Sequence, residues 1–175
     1  MGTHNADEVV KFIKDSNAIE GIGEEGLADS VSAWGYFSQF KTQNLTLHNL
    51  LEVHRIVLRN LRPDIAGKIR DCDVTVGGRS TVKHNQVEKQ LERVFFPMVN
   101  MPKESIREIS DDRSIDYDNW CRKTHIDFEM IHPFEDGNGR VGRIIYNWQR
   151  KRYGLPINII KYEERYKYYN WFSGL

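Results

Sequence analysis

The sequence predicts a mostly α-helical domain that carries one small β-hairpin. Apolar residues recur at helical spacing through most of the 175 residues. One β-prone stretch surrounds Gly77-Gly78. No internal repeat, low-complexity tract or linker rich in Pro, Gly and Ser divides the chain. We therefore expect a single domain over residues 1–175, built as a helical bundle.

Composition narrows the classes of partner and compartment. An apolar fraction of 39% is typical of a soluble globular protein. Twenty-five basic residues balance twenty-five acidic ones, so no net field attracts nucleic acid or anionic lipid. No apolar run is long enough to span a membrane. Cys72 and Cys121 are too few for a disulfide framework, which favours a reducing compartment. The sequence thus predicts a cytoplasmic protein with neither a nucleic-acid nor a membrane partner.

The N-terminal half contains three predicted helices, because apolar residues repeat at intervals of three and four. Their ends follow from capping residues and from glycine and proline, which stop a helix. The first helix covers residues 5–19, with Asn5 as its cap and Gly21 and Gly23 as its stop. The second covers Leu27–Gln39. The third begins at its cap, Thr46, and is ended by Pro63.

The hairpin and the remaining helices follow in the second half. The β-prone pieces are Val74-Thr75-Val76 and Thr81-Val82, on either side of Gly77-Gly78. Residues 99–113 form a polar connection. Further helices are predicted over Val87–Met98, Ser114–Ile131 with Ile115 on its apolar side, Gly139–Tyr153 and Tyr162–Phe172.

Residues 132–143, which read HPFEDGNGRVGR, join the two longest predicted helices of this half. Pro133 disfavours helical backbone at the residue before it, so His132 is expected at a helix end, on the rim of the loop. Gly137 and Gly139 permit a tight turn and close approach of a ligand. Asn138 can cap the helix that follows. His132 titrates near neutral pH and is therefore the natural general base.

The start of the following helix is predicted to bind a polyphosphate. Its first N–H groups have no partner within the helix and form a ready anion site. Arg140 and Arg143 lie three residues apart on one face, and their forked guanidinium groups suit phosphate oxygens. Asp136 supplies the hard oxygen ligand that Mg²⁺ prefers beside phosphates.

This segment matches the Fic signature His-Pro-Phe-x-Asp-Gly-Asn-Gly-Arg-x-x-Arg at every fixed position. The chain therefore resembles the Fic family of the Fic/Doc superfamily. The resemblance extends more loosely to Ala66-Gly67-Lys68-Ile69-Arg70 before the hairpin and to Arg165-x-x-Tyr168 near the C-terminus. It implies the Fic fold, a helical bundle with a hairpin flap. It also implies a protein adenylyltransferase, which uses ATP and Mg²⁺ to transfer AMP to a Ser, Thr or Tyr hydroxyl of a target protein.

The resemblance also implies a role for each residue of the motif. His132 would deprotonate the acceptor hydroxyl, Phe134 would anchor the loop, and Asp136 would hold Mg²⁺ between the α- and β-phosphates. Gly137, Asn138 and Gly139 would form the anion hole. Arg140 and Arg143 would bind the β- and γ-phosphates.

The resemblance implies a role for the hairpin, and two roles are considered for the C-terminal aromatic segment. The flap would pair with an extended segment of the target through Thr75, Val76, Gly77, Gly78, Thr81 and Val82. The C-terminal aromatic residues belong to the core, and one of Tyr168, Tyr169 or Asn170 would wall the adenine pocket.

Ser16-Asn17-Ala18-Ile19-Glu20-Gly21 resembles the inhibitory motif Ser/Thr-x-x-x-Glu-Gly/Asn of the family. Its position implies an N-terminal inhibitory helix over about residues 5–21. It also implies an ion pair between Glu20 and Arg143 in the place of the γ-phosphate. Replacing Glu20 by Gly is then expected to raise AMP transfer, including self-modification.

Two other patterns are weaker. Residues 21–26 match G-x-G-x-x-G but follow a helix rather than a strand and carry two acids, which argues against dinucleotide binding. His125, Glu129 and His132 could suggest a zinc face, but no H-E-x-x-H is present. A structural role is favoured for His125 and for His54.

Other activities on this fold stay open. One alternative is a different Fic-type transfer, either phosphorylation or the removal of AMP from a modified target. Another is a non-catalytic module that holds a peptide strand on the flap, against which the intact His132, Asp136 and both arginines argue. The target and the oligomeric state, including a homo-oligomer, are also open.

Overall fold

Helices make up most of the structure, as the sequence predicts. Across residues 6–40 and 43–173, which a computed structural model describes, the chain forms eight α-helices and one two-stranded antiparallel sheet. The predicted cap Asn5 lies outside these residues. The helices are α1 Ala6–Ile19, α2 Leu27–Ser38, α3 Leu47–Leu58, α4 Val87–Gln90, α5 Phe96–Val99, α6 Arg113–Ile131, α7 Asn138–Arg152 and α8 Arg165–Tyr169. The strands are β1 Thr75–Val76 and β2 Arg79–Ser80, and short 3₁₀ turns occupy Glu24–Gly26, His84–Gln86, Lys103–Ser105, Tyr162–Glu164 and Asn170–Phe172.

Two apolar clusters hold the helices together. The larger one takes buried side chains from α1 to α7. The smaller one joins Ile106, Cys121, Tyr146 and Tyr153 between α6 and the C-terminal half of α7. Within the described ranges, none of the helices combines the length and apolar character that crossing a bilayer requires.

α7 lies at the centre of the bundle and is buried on nearly every side. α6 packs along it most extensively, and α1, α2 and α3 cover its other faces. Its apolar residues join the larger cluster, but Arg140, Arg143 and Arg150 are buried in it as well. Because a buried charge is costly unless it is paired, the partners of these arginines matter for the site.

Local signals explain where the helices begin and end. Thr46 caps α3, as predicted: its hydroxyl accepts the Asn49 N–H, and the Asn49 side chain accepts the Thr46 N–H in return. Asp112 caps α6 by accepting the N–H of Ser114. α1 ends before Gly21, whose φ of 71° lies in the left-handed region.

Two predicted details of the helices are wrong. α3 ends at Leu58 rather than at Pro63, because the Leu61 N–H donates only three residues back, to the Leu58 carbonyl that also accepts the Arg62 N–H, and the regular α-helical pattern stops there. Ile115 is half exposed rather than buried. The first turn of α6 buries Asp116 instead, whose carboxylate accepts N–H groups from the preceding loop.

The helix predicted over Val87–Met98 contains a π-helical turn at Leu91–Phe95, between α4 and α5. The Phe96 N–H donates to the Leu91 carbonyl, five residues back. Pro97 has no N–H and cannot continue α-helical bonding, so the wider turn lets the chain pass it without ending the helix.

The hairpin forms around Gly77-Gly78, as predicted, but its second strand comes two residues earlier. The φ angles of Gly77 and Gly78 are 58° and 80°, and a two-residue turn of this kind closes the strands directly. Thr75 therefore pairs with Ser80, and Val76 pairs with Arg79. Thr81 and Val82 follow the strand rather than forming it.

Candidate active site

His132 lies at the C-terminal end of α6, where the sequence places it. Its φ of 49° and ψ of 64° are left-handed, and within residues 6–40 and 43–173 it alone among non-glycine residues has a positive φ. This conformation costs roughly 1–2 kcal/mol for a residue with a side chain. The surrounding structure must therefore hold it in place.

The imidazole of His132 is largely covered, with 16% of the side chain exposed. Its Nδ1 lies 3.3 Å from the Glu129 carbonyl oxygen and 3.8 Å from the Glu129 carboxylate. When Nδ1–H donates to that carbonyl, Nε2 is left as a free acceptor. Burial lowers the pKa of His132, and the Glu129 carbonyl only partly opposes this. The neutral imidazole is therefore the favoured form at neutral pH.

Phe134 and Asn138 fix the loop that follows His132. Phe134 is fully buried. The Asn138 side chain accepts the Phe134 N–H at 2.9 Å and donates to the Phe134 carbonyl at 2.8 Å. The prediction that Asn138 caps α7 is wrong: Gly137, with a φ of 80°, occupies the capping position, and the Asn138 side chain turns back to clamp the loop.

His54, on α3, packs against the same loop and bonds to its backbone. Its ring stacks on Phe134, with centroids 3.7 Å apart and an interplanar angle of 3°. Nδ1 accepts the Gly67 N–H at 3.0 Å, so Nε2 carries the proton and donates to the Asp136 carbonyl at 3.0 Å. Burial lowers the pKa of His54 to about 4, which keeps this neutral tautomer at physiological pH. The structural role favoured for His54 is thus specified: it holds the loop.

Arg140 is buried beside the loop, but two of its nitrogens have no partner in the described part of the chain. There, Nε and Nη1 make no hydrogen bond, and Nη2 lies 3.7 Å from the Asp136 carboxylate. Half of the Asp136 side chain is exposed, and its Oδ1 accepts the Gly137 N–H at 2.5 Å. A buried guanidinium with unpaired N–H groups is costly. Its environment therefore suits an additional anion.

Arg143 has a partner at each guanidinium nitrogen: Nη1 donates to the Tyr168 hydroxyl at 3.4 Å, and the other partners come from the end of α1. Nε donates to the Ser16 hydroxyl at 2.9 Å, and Nη2 donates to the Ser16 carbonyl at 2.8 Å. Nη2 also donates to Glu20 Oε1 at 2.7 Å. The structure thus brings together Ser16, Glu20 and Arg143, as the sequence predicts.

The Glu20 carboxylate also lies directly against the glycine loop. A Cβ atom built on Gly139 would collide with Glu20 Oε1 and come within 2.9 Å of Arg143 Nη1. Gly139 therefore allows a carboxylate to reach the backbone at the start of α7. The same close approach would be open to a phosphate oxygen if Glu20 were elsewhere.

Two side chains of this region, Glu129 and His125, are considered by the sequence analysis only as part of a zinc face. Among the residues that the structure describes, Glu129 Oε1 and His125 Nδ1 have no hydrogen-bond partner, and His125 Nε2 lies 2.9 Å from the Tyr168 hydroxyl. Burial raises the pKa of Glu129 to about 8, although Arg143 opposes this. A signal was available, because Glu129 lies in the last turn of α6, three residues before His132, and a residue there lies near the helix end.

A cavity of about 510 Å³ joins the loop, the hairpin and the C-terminal residues. His132, Gly139, Glu20 and Glu129 line its floor and the hairpin lines one side. Tyr168 and Tyr169, two of the three residues considered for the adenine wall, also line it, together with Phe172. The cavity therefore connects the predicted phosphate site with the predicted target flap.

A protein-family model matches the region of the chain that contains this site. The family model described as Fic/DOC family matches residues 44–149, more than half of the chain. The chain belongs to the Fic/DOC family. The matched region runs from before α3 through most of α7 and includes the hairpin and the whole loop, whereas Glu20 and α8 lie outside it.

Curated Fic relatives resemble the chain over most of its length. A protein named protein adenylyltransferase Fic from Nematostella vectensis is 29% identical over 133 residues, covering 76% of this chain and 29% of its own. The protein adenylyltransferase fic-1 of Caenorhabditis elegans is 33% identical over 127 residues, covering 71% of this chain and 23% of its own. The chain therefore spans only about a quarter of the length of these relatives.

Solved structures show the same fold. Fic-1 (residues 134–508) from C. elegans has a TM-score of 0.76 at 23% identity, over 94% of this chain and 54% of that one. A Fic domain containing signaling protein from Bacteroides thetaiotaomicron also has a TM-score of 0.76, at 20% identity, over 94% of this chain and 70% of that one. The predicted helical Fic fold with a hairpin is confirmed.

Proposed function

We propose that this Fic chain is a protein adenylyltransferase that transfers AMP from ATP to a protein hydroxyl, and that Glu20 restrains it. The observation that carries the proposal is the buried, half-unpaired guanidinium of Arg140 beside a glycine loop, close to a largely buried and neutral imidazole. The names of the curated relatives support nucleotidyl transfer as the reaction class.

The phosphates would bind at the start of α7. Nε and Nη1 of Arg140 would donate to phosphate oxygens. These bonds would remove the unfavourable free energy of leaving buried N–H groups without an acceptor. The backbone at Asn138 and Gly139 would contribute the N–H groups of a helix N-terminus. The Gly137 N–H would join them once it releases the Asp136 carboxylate, to which it now donates. Arg143 would bind the terminal phosphate once Glu20 has left it.

The acceptor hydroxyl would attack the α-phosphorus in line with the leaving pyrophosphate. Its proton would pass to Nε2 of His132, one O–P bond would form, and the bond from the α-phosphorus to the bridging oxygen would break. Because the pKa of His132 is lowered by burial, the imidazole is ready to accept a proton at neutral pH. A positioned base of this kind contributes about 10²–10⁴-fold.

The donor set fits a magnesium ion that arrives with the nucleotide. Asp136 is half exposed at the edge of the loop, so its carboxylate can reach a ligand. Within residues 6–40 and 43–173, no group of three His, Cys, Asp or Glu side chains is arranged to hold a metal. Asp136 would therefore be one ligand, with phosphate oxygens and water as the others. Mg²⁺ would neutralise charge on the phosphates.

The hairpin would hold the target protein. In the described part of the chain, β1 and β2 pair only with each other, so each strand keeps an unpaired edge. The exposed strands line the cavity that contains His132. Pairing of an extended target segment with such an edge would bring its hydroxyl to the imidazole with little dependence on side chains.

Glu20 would act as the restraint because it occupies two features that ATP needs. It neutralises Arg143 at 2.7 Å and fills the space over Gly139. An ATP phosphate and the Glu20 carboxylate cannot share that space, and their like charges would repel. Binding of ATP in the productive geometry would thus require the end of α1 to release Arg143.

The test uses ATP labelled at the α- or the γ-phosphorus, with Mg²⁺, and the chain itself as the probe acceptor. We expect Glu20→Gly to incorporate α-label and no γ-label, and to exceed the parent. His132→Ala in that background should lower incorporation by about 10²-fold or more. Incorporation of γ-label would indicate phosphoryl transfer instead, and absence of both labels would favour a non-catalytic module.

Glu24→Gly is the matched control for the restraint. Glu24 follows α1 by a few residues, is exposed, and pairs only with Lys14 at 3.0 Å. Its replacement introduces the same backbone freedom near the same helix end without touching Arg143. If Glu24→Gly activates as strongly as Glu20→Gly, activation reflects loosening of the chain and the restraint assigned to Glu20 is wrong.

A further inference from the structure

Arg70 is the most densely bonded side chain near the site, and the sequence analysis gives it no role. It precedes the hairpin, and its guanidinium is completely buried. Nε donates to the His132 carbonyl at 2.7 Å, and Nη1 donates to the Cys72 carbonyl at 2.6 Å. Nη2 donates to the Val82 carbonyl and to the Thr81 hydroxyl.

These acceptors belong to two separate parts of the chain. Cys72 precedes the hairpin and Val82 follows it, so Arg70 binds both of its ends. His132 is the last residue of the turn that closes α6, and the Arg70 N–H also donates to the Pro133 carbonyl at 3.0 Å. One rigid guanidinium therefore joins the base of the hairpin to the backbone of the predicted catalytic histidine.

Thr81 extends this connection across the hairpin. Its hydroxyl accepts from Arg70 at 3.2 Å and donates to the Val74 carbonyl at 2.9 Å. The two arms of the hairpin are thus tied to each other and to Arg70 by one side chain. Its removal would loosen the hairpin base without removing a charge.

The conformation of His132 explains why such a connection is needed. A left-handed residue with a side chain persists only where its surroundings determine it. The carbonyls at the end of α6 have no partner within the helix, and a cation suits that end of the helix dipole. Arg70 meets both requirements, since it bonds the His132 carbonyl and lies 3.4 Å from the Ile131 carbonyl.

We propose that Arg70 is a positioning residue, which fixes the distance between the target-binding hairpin and the imidazole of His132. Arg70 does not itself line the cavity, and its guanidinium bonds are to His132 and the hairpin rather than to Arg140. Its loss should therefore impair delivery of the acceptor hydroxyl, while the phosphate site stays intact. This inference rests on the proposed function, because it concerns the protein acceptor of that same reaction.

The test compares variants in the Glu20→Gly background. Arg70→Lys keeps the charge but replaces the fork with a point charge that cannot reach all the carbonyls. Thr81→Val removes only the hydroxyl. Arg55→Lys is the control, because Arg55 is an exposed arginine whose guanidinium bonds only Glu52, on its own helix. The measurements are kcat for incorporation of α-label into the chain, the Kd for ATP, and the melting temperature.

For Arg70→Lys we expect kcat to fall about 10²-fold at a temperature where the variant is folded, since misplacement by about 1 Å costs this much. Its Kd for ATP should equal that of the background protein. Thr81→Val should lower kcat in the same way but less, and Arg55→Lys should change nothing. Unchanged kcat, or a Kd for ATP that weakens in parallel with kcat, would overturn the inference.

Two outcomes need separate treatment. If Arg70→Lys does not fold, Thr81→Val decides by the same criteria, because it leaves the buried charge in place. If the Glu20→Gly protein itself incorporates no label, the proposed function has failed before Arg70 is tested. Failure of the present inference alone leaves that incorporation intact.

Discussion

Oε1 of Glu20 lies 2.7 Å from Nη2 of Arg143, although 123 positions separate the two residues in the sequence. The guanidinium is buried, whereas about a third of the Glu20 side chain is exposed. Arg143 therefore cannot move to solvent to avoid its partner. If the contact opens, Glu20 is the residue that leaves, and this asymmetry underlies the first two predictions.

Removal of the Glu20 charge should strengthen ATP binding. Glu20→Gln keeps the size of the side chain but not its charge, and Glu20→Gly removes both. We expect the Kd for ATP, measured by titration calorimetry with Mg²⁺, to decrease from the parent to Glu20→Gln and again to Glu20→Gly. The first decrease in Kd would measure the effect of the Glu20 charge, and the second would measure the effect of the side-chain volume. Equal Kd values in all three proteins would show that Glu20 does not compete with the nucleotide.

Gly139→Ala should destabilise the parent more than it destabilises Glu20→Gly. The added methyl group would collide with the Glu20 carboxylate and displace it from Arg143. Without Glu20, two of the three nearest contacts are gone, and the one with Arg143 Nη1 at 2.9 Å remains. Urea unfolding of the four proteins in this cycle should give a coupling free energy of about 0.5–3 kcal/mol. Additive costs would mean that the carboxylate does not occupy the space over Gly139.

Gly142→Ala should destabilise the chain by about 1–3 kcal/mol, because it overpacks the contact between α6 and α7. Its Cβ would lie 2.5 Å from Glu129 Oε1, 2.9 Å from His125 Cε1 and 3.0 Å from Phe128 Cδ1. Gly35 in α2 is the matched control, since a Cβ there meets nothing within 4 Å. Gly35→Ala should stabilise by up to about 1 kcal/mol. Similar unfolding free energies for both variants would contradict this account.

Glu129→Gln should become more stable relative to the parent as the pH rises. Burial raises the pKa of Glu129 from 4.5 to about 8, so between these values the folded state holds a proton that the unfolded state has lost. This bound proton adds to the free energy of unfolding. Its contribution is full below pH 4.5 and decreases by roughly 1.4 kcal/mol per pH unit until the pH reaches about 8. Because Gln is neutral at every pH, the variant does not lose stability in this way as the pH rises.

The measurement is urea unfolding of the parent and the variant at pH 5 and pH 8. Glu24→Gln serves as the control, because Glu24 is exposed and pairs with an exposed lysine. Its stability relative to the parent should not change between the two pH values. If the difference between Glu129→Gln and the parent is also the same at both, Glu129 is ionised in the folded protein.

The rate of AMP incorporation by Glu20→Gly should fall at acid pH, with a midpoint below pH 6.5. A base works in its neutral form, and burial lowers the pKa of His132 from its ordinary value of 6.5. Glu20 raises the pKa of His132, so its removal shifts the fall further towards acid. The check is kcat at saturating ATP from acid to neutral pH. A midpoint above pH 6.5 would contradict a buried neutral imidazole.

Short-range patterns allowed much of the site to be predicted. Residues 132–143 carry their geometry in adjacent positions, so the sequence places His132 at a helix end and Gly137 in a turn. The contact between Glu20 and Arg143 was also predicted, but from a family resemblance. Periodicity alone does not pair a residue of α1 with one of α7.

What the sequence analysis missed depends on choices that one chain segment cannot decide. From the sequence, the Asn138 side chain could equally cap α7 or bond back to the preceding loop. It bonds to the backbone of Phe134, and this depends on where the fold places Phe134. The helix predicted over Val87–Met98 runs through Pro97 without an interruption, and its periodicity does not indicate the π-helical turn that accommodates this proline. The bonds of Arg70 join segments about 60 residues apart, and no local pattern contains them.

The ends of α1 and α7 that meet at Arg143 belong to one polypeptide. Dilution therefore cannot separate them, and under the proposed restraint the ratio of open to closed forms is set by an equilibrium within one chain. To change that ratio, a ligand must bind the open form more tightly, and the free energy of that preference sets the limit of its effect.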